Sequence, residues 1–131
     1  MTLSVEDRLD IEQLINLYGH VIDAREFSRL GELFTDDAVF DLSGFDGTVY
    51  ESLDAITQMM HDSQQHPLAH HATNIVILEE GGSVTVLSNG IGVGNGGRVG
   101  SVTYSDKLLR TPGGWRIQRR HCELRRASSA E

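Results

Sequence analysis

The chain has 131 residues, 39% of them apolar, and carries 19 acidic against 11 basic side chains for a formal charge of −8. That length is one domain with enough chain to bury a core unaided by disulfides or a structural metal, and the composition is too apolar for disorder. The acidic balance excludes a nucleic-acid binder, which needs a basic footprint, and disfavours an anionic membrane surface. Cys122 is the single cysteine, so no internal disulfide can form, and a cytoplasmic location is expected. Acidic residues stand at the N-terminus where a signal peptide needs positive charge. The longest aliphatic run, Ile75 to Leu78, falls far short of the roughly 20 apolar residues of a membrane span.

Residues 4–24 read as a helix. Ser4-x-x-Asp7 is a capping-box-like start, and Ile11, Leu14, Ile15, Tyr18, Val21 and Ile22 fall on one apolar face. A shorter helix is expected over 28–34 with Leu30, Leu33 and Phe34 buried, then a polar turn at Thr35-Asp36-Asp37. Residues 38–42 and 48–50 read as two strands around a turn at Gly44, Asp46 and Gly47. Residues 52–62 read as a third helix burying Leu53, Ile56, Met59 and Met60.

From His71 onward the pattern is strand. Residues 73–78, 83–93, 98–110 and 115–124 are separated by Glu79-Glu80-Gly81-Gly82, Gly94-Asn95-Gly96-Gly97 and Thr111-Pro112-Gly113-Gly114. Three such turns in succession make an antiparallel meander. Residues 125–131 read as a flexible polar tail on this single domain. Helices first and a long-stranded sheet afterwards give the α+β class, with a natural site for a pocket between the layers. All the helices precede the meander, so one sheet face stays uncovered, and a homodimer or homotrimer through that face is expected.

The element order resembles the cone-shaped α+β fold of the nuclear transport factor 2-like superfamily, in its SnoaL-like branch. The resemblance rests on Ile11-x2-Leu14-x3-Tyr18-x4-Asp23, on Leu33-Phe34-Thr35-Asp36-Asp37-Ala38, on His71-x2-Asn74, and on Tyr104-x5-Arg110-x2-Gly113-Gly114-Trp115-Arg116-Ile117. It implies a curved, mixed sheet wrapped around three N-terminal helices and enclosing a pocket. Within the superfamily the chain is similar to scytalone dehydratase, hexachlorocyclohexane dehydrochlorinase and polyketide cyclase-like proteins. The first two pair an aspartate near the end of the first helix with a histidine at the start of the third strand. Asp23 and His71 take those positions here. The resemblance therefore implies a cofactor-independent lyase or isomerase, with His71 abstracting a proton from carbon and Asp23 orienting it.

The residues themselves leave more open. Strand alternation sends His70 and His71 to opposite faces, so only one can meet a pocket. Tyr18 is buried on either of two readings, as core packing or as a donor to a substrate oxygen. Tyr104, Asn74 and Arg110 complete the expected substrate contacts, Arg110 as an anion binder at the pocket mouth or as a solvated hairpin-end residue. On the last strand, alternation puts Trp115, Ile117, Arg119 and His121 on one face, with Arg116, Gln118, Arg120, Cys122 and Leu124 on the other. The stretch from Gly90 to Gly97 reads as a wide hairpin or bulge. His66 and His70 are four apart across Pro67, and no metal-ligand spacing or dinucleotide fingerprint occurs. No metal or cofactor is expected, and the partner is a small hydrophobic molecule. The alternatives are a non-catalytic ligand-binding or dimerisation domain and a dioxygenase small-subunit-like structural protein.

Overall fold

The structure, a computed structural model, describes residues 2–64 and 66–125. Helix α1 (Val5–Asp23) begins at the expected cap. Ser4 Oγ accepts the Asp7 N–H at 3.0 Å and the Asp7 carboxylate accepts the Ser4 N–H at 3.1 Å, satisfying two of the donors that a helix start leaves free. The apolar stripe is the buried one, with all six expected residues inside. The second helical segment, Phe27–Glu32, is a 3₁₀ helix. Strands β1 (Phe34–Gly44) and β2 (Thr48–Glu51) follow, then α2 (Leu53–Asp62), which buries Ile56 and Met60. Thr35–Asp37 lies within β1 rather than in a turn, but outside the regular pairing: Phe34 opposes Ile117 and Val39 already opposes Arg119.

Strands β3 (Ala69–Glu80), β4 (Ser83–Val93), β5 (Val99–Thr111) and β6 (Gly114–Arg125) form the expected meander. The six strands run in the order β2-β1-β6-β5-β4-β3, antiparallel everywhere except β1 beside β6, so the sheet is mixed and open. Of the expected tail, Arg125 is the last residue of β6 and 126–131 lie outside the described residues. No helix among the described residues is long and apolar enough to cross a membrane. The helices and the inner sheet face share one core that includes Ile11, Ile15, Val21, Phe34, Ile56, Val86 and Ile117.

Two irregularities decide which side chains face that core. In β3, Thr73 opposes Asn89 but Val76 opposes Leu87, so β3 carries one extra residue. Asn74 sits there at φ 55°, a left-handed conformation that asparagine tolerates better than most residues. In β6, Ile117 opposes Leu108 and Arg119 opposes Lys107, which leaves Gln118 as the extra residue. Each bulge reverses the inside–outside alternation along its strand. Trp115 and Ile117 therefore share the inner face with Arg120 and Cys122, while Arg119 and His121 turn outward against Asp41. This corrects the strict alternation expected for β6. The Gly90–Gly97 expectation is also corrected: β4 pairs regularly through Gly90 and Gly92 to Val93, and the turn follows it.

Candidate active site

Helix α1 stops at Asp23 because the chain reverses immediately after it. The Arg25 N–H reaches the Ile22 carbonyl at 3.0 Å, the Glu26 N–H reaches that of Val21 at 3.0 Å, and Arg25 adopts φ 55°. The end of the helix lies against the start of β3. Gly19 permits the approach, since a Cβ there would stand 2.7 Å from the His70 carbonyl oxygen. The Asp23 carboxylate then accepts three hydrogen bonds from one residue. The His70 backbone N–H donates at 3.0 and 3.1 Å, and the ring Nδ1 lies 2.6 Å from Oδ1.

The histidine that meets Asp23 is thus His70 and not His71. Alternation carried back from the inward Ile75 and Ile77 would turn His71 inward. The extra residue at Asn74 shifts the parity, so His70 opposes Gly92 on the inner face and His71 opposes Ile91 on the outer one. The His70 side chain is 14% exposed, whereas His71 is an exposed residue. With Nδ1–H donated to a carboxylate, Nε2 carries the lone pair and is free to accept a proton.

Two tyrosines pack beside His70. The Tyr18 ring meets the rings of His70 at 6.3 Å, Tyr104 at 6.1 Å and Phe34 at 6.3 Å, all edge-to-face. Gly90 makes room for Tyr104, because a Cβ there would fall 2.5 Å from that ring. Beneath both tyrosines lies Arg120, its guanidinium 4.3 Å from the Tyr18 ring centre and 3.9 Å from that of Tyr104. Arg120 forms a two-pronged ion pair with Asp106 at 2.8 and 2.9 Å, and both residues are buried. Burial alone would weaken the Arg120 charge, but Asp106 outweighs it and the guanidinium stays protonated. Burial pushes the Tyr104 phenol up to about 12 and Tyr18 well above its ordinary value. Both phenols are therefore protonated at neutral pH and available as donors. Burial likewise raises the Cys122 thiol to about 11, leaving it inert.

These groups stand at the edge of a concavity of about 1190 Å³ between the sheet, α2, Ser63, Gln64, His66 and Pro67. Phe40, Leu42, Tyr50, Met59, Met60 and Leu124 give it apolar walls, and Tyr18, His66, His70 and Tyr104 give it polar groups. The remaining expected contacts lie elsewhere. Asn74 is exposed and serves the bulge. Arg110 pairs with Asp7 and lies over the Trp115 ring at 5.5 Å, at the opposite end of α1 from Asp23. Neither lines the concavity. Strand alternation leaves His70 and His71 as alternatives, and the bulge in β3 decides for His70, while the bulge in β6 brings Arg120 to the face of Trp115 and Ile117. No group of three potential metal ligands occurs among the described residues.

The SnoaL-like domain model matches residues 3–121 of the chain. The chain belongs to the SnoaL-like family. This SnoaL-like domain is 32% identical to the uncharacterized protein Rv2910c of Mycobacterium tuberculosis over 125 residues, covering 88% of this chain and 84% of that protein. Among solved structures it is similar to an NTF2-like protein with a cystatin-like fold from Novosphingobium aromaticivorans. That similarity has a TM-score of 0.79 and 26% identity, covering 96% of this chain and 86% of that one. LinA superimposes with a TM-score of 0.76 at 21% identity, covering 95% of this chain and 92% of that one, and shows the shared fold.

Proposed function

We propose that this SnoaL-like domain is a lyase or isomerase that removes a proton from carbon in a small, mostly apolar substrate. His70 is the base, in the role that the family resemblance implies for His71, and Asp23 is its orienting partner. The observation that carries this is the 2.6 Å contact between His70 Nδ1 and Asp23 Oδ1 at the wall of an open, mostly apolar concavity. Asp23 fixes the tautomer and stabilises the imidazolium that forms when Nε2 takes the proton. Tyr18 and Tyr104, kept protonated by burial, are donors for charge that develops on a substrate oxygen. The concavity is somewhat larger than the roughly 300–1,000 Å³ usual for ligand sites and suits a polycyclic or aromatic molecule. The chemistry needs no metal or organic cofactor, and the lone thiol fits a reducing cytoplasm.

The outer sheet face carries Val76, Leu78, Leu87 and Leu109 at 39–50% exposure, and no helix among the described residues covers that face. A second copy of the chain is its occupant on this reading, and light scattering at micromolar concentration should give at least a dimer mass. A monomer mass would remove the proposal.

The test of the chemistry is deuterium incorporation from D₂O into a panel of cyclic and aryl ketones. Exchange by the wild type should fall about 100-fold in His70→Ala, within the usual contribution of a positioned base, and persist in His71→Ala. Exchange that survives His70→Ala, or that depends on His71, sinks the assignment. In parallel, nitrogen NMR should show His70 with its proton on Nδ1, and a downfield Nδ1 proton that disappears in Asp23→Ala.

A further inference from the structure

We infer that His66 is a second ligand-contacting residue of this site, a neutral imidazole whose Nε2–H donates a hydrogen bond to a substrate oxygen. It rests on the reading above only for the position of the reacting carbon, beside His70. Three observations carry it. The His66 ring lines the concavity and lies 5.5 Å from the His70 ring, tilted at 47° to it. Its Nδ1 is buried without a hydrogen-bond partner. The segment that carries it is seated rather than loose, because Pro67 packs onto Gly92, where a Cβ would come within 2.7 Å of the proline ring.

A buried Nδ1 without an acceptor is better left unprotonated, since an N–H there would be stranded. The proton then belongs on Nε2, at the edge of the ring that remains for a ligand. Burial lowers the His66 pKa, and the neighbouring His70 and Arg25 lower it further against a weaker pull from Asp23. The ring is therefore an uncharged donor at neutral pH. A neutral imidazole of this kind polarises a carbonyl without first having to lose a proton.

The pair of histidines then defines a substrate class: a compound with a hydrogen-bearing carbon next to a carbonyl group. The C–H bond breaks, its proton goes to His70 Nε2, and its electron pair moves through the carbonyl to leave an enolate oxygen facing His66. Where a further double bond is conjugated with the enolate, return of the proton to the far carbon of that double bond gives an isomer, and where the carbon next to the deprotonated one bears a leaving group, departure of that group with the enolate electron pair gives an elimination product.

The probe is 2-naphthol, an aromatic molecule with a single oxygen. Nitrogen NMR at pH 7 should show His66 neutral with its proton on Nε2, and 2-naphthol should shift that resonance. His66→Phe, which keeps a ring and loses the donor, should bind 2-naphthol about fivefold to tenfold more weakly, the range for one lost hydrogen bond. His66→Gln restores a donor and should recover most of that loss, which separates donation from folding. A His66 that is protonated or carries its proton on Nδ1 overturns the inference. So does equal binding by wild type and His66→Phe, or no binding by the wild type. The Nδ1 proton of His70 reports on the Asp23 pairing separately, so failure of either assignment leaves the other readable.

Discussion

Each end of α1 sets an aspartate against the sheet, and the two ends do different things. At the N-terminal end, Asp7 accepts from the Ser4 N–H, from Arg110, and from Trp115 Nε1 at 3.2 Å. The Ser4 backbone, then Arg110 and Trp115, hold its carboxyl well below the usual carboxylate range. Every one of these partners is a pure donor, so that end is closed and fixes the helix in place. At the C-terminal end, Asp23 accepts from the backbone and ring of His70. The imidazole spends one nitrogen on the carboxylate and keeps the other. On the proposed function, the carboxylate that anchors and the one that activates differ in what the partner has left over, more than in burial or distance.

The largest expected effect lies beneath the Asp23 end. Arg120→Met strands Asp106 as a buried charge and should cost about 3–5 kcal/mol in urea denaturation. Arg120→Met with Asp106→Leu should recover much of that, and a small loss in the single variant would mean that the floor of the site is not a tight ion pair. Next, Asp23→Asn should lower the proton-exchange rate about 100-fold, whereas Asp7→Asn should leave it unchanged. Equal effects would erase the contrast between the two ends. Third, the bulge that turns His70 inward depends on a left-handed residue. Asn74→Val should destabilise by about 1–2 kcal/mol while Asn74→Gly stays near wild type, measured by thermal melts. The smallest effect concerns acid. The Asp7 pKa is depressed from 3.8 in the fold, so its contribution is full above that value and is lost as pH falls below it. Melting temperatures between pH 5 and pH 2 should fall less steeply in Asp7→Asn than in the wild type.

Much of this arrangement is legible in the residues. The stripe from Ile11 to Ile22 is a plain period-3.6 signal, and Ser4 with Asp7 marks its start. The glycine-rich turns divide the meander where the strands divide. Asp23 is singled out by the family resemblance alone, since its place on the helical wheel is the edge of the polar face. What alternation cannot reveal is where it breaks. One extra residue at Asn74 exchanges His71 for His70, and one at Gln118 brings Arg120 inside with Trp115 and Ile117. A bulge needs only a residue that tolerates the local turn, and neither position announces itself by composition. The parallel pairing of β1 with β6 is equally silent, because no local turn links strands so distant in the chain.

That parallel pairing has a bearing on how the molecule is made. Phe34 opposes Ile117 and Gly44 opposes Glu123, so β6 is the bridge between the β1–β2 hairpin and the three-strand run β5-β4-β3. While the chain emerges from the ribosome, the two portions can each form local hairpins but have no edge in common until the last strand is synthesised. Contacts this far apart in sequence slow the search for the native state. For that interval both β1 and β5 present an unpaired edge, which makes the nascent chain, rather than the finished protein, the form most exposed to aggregation.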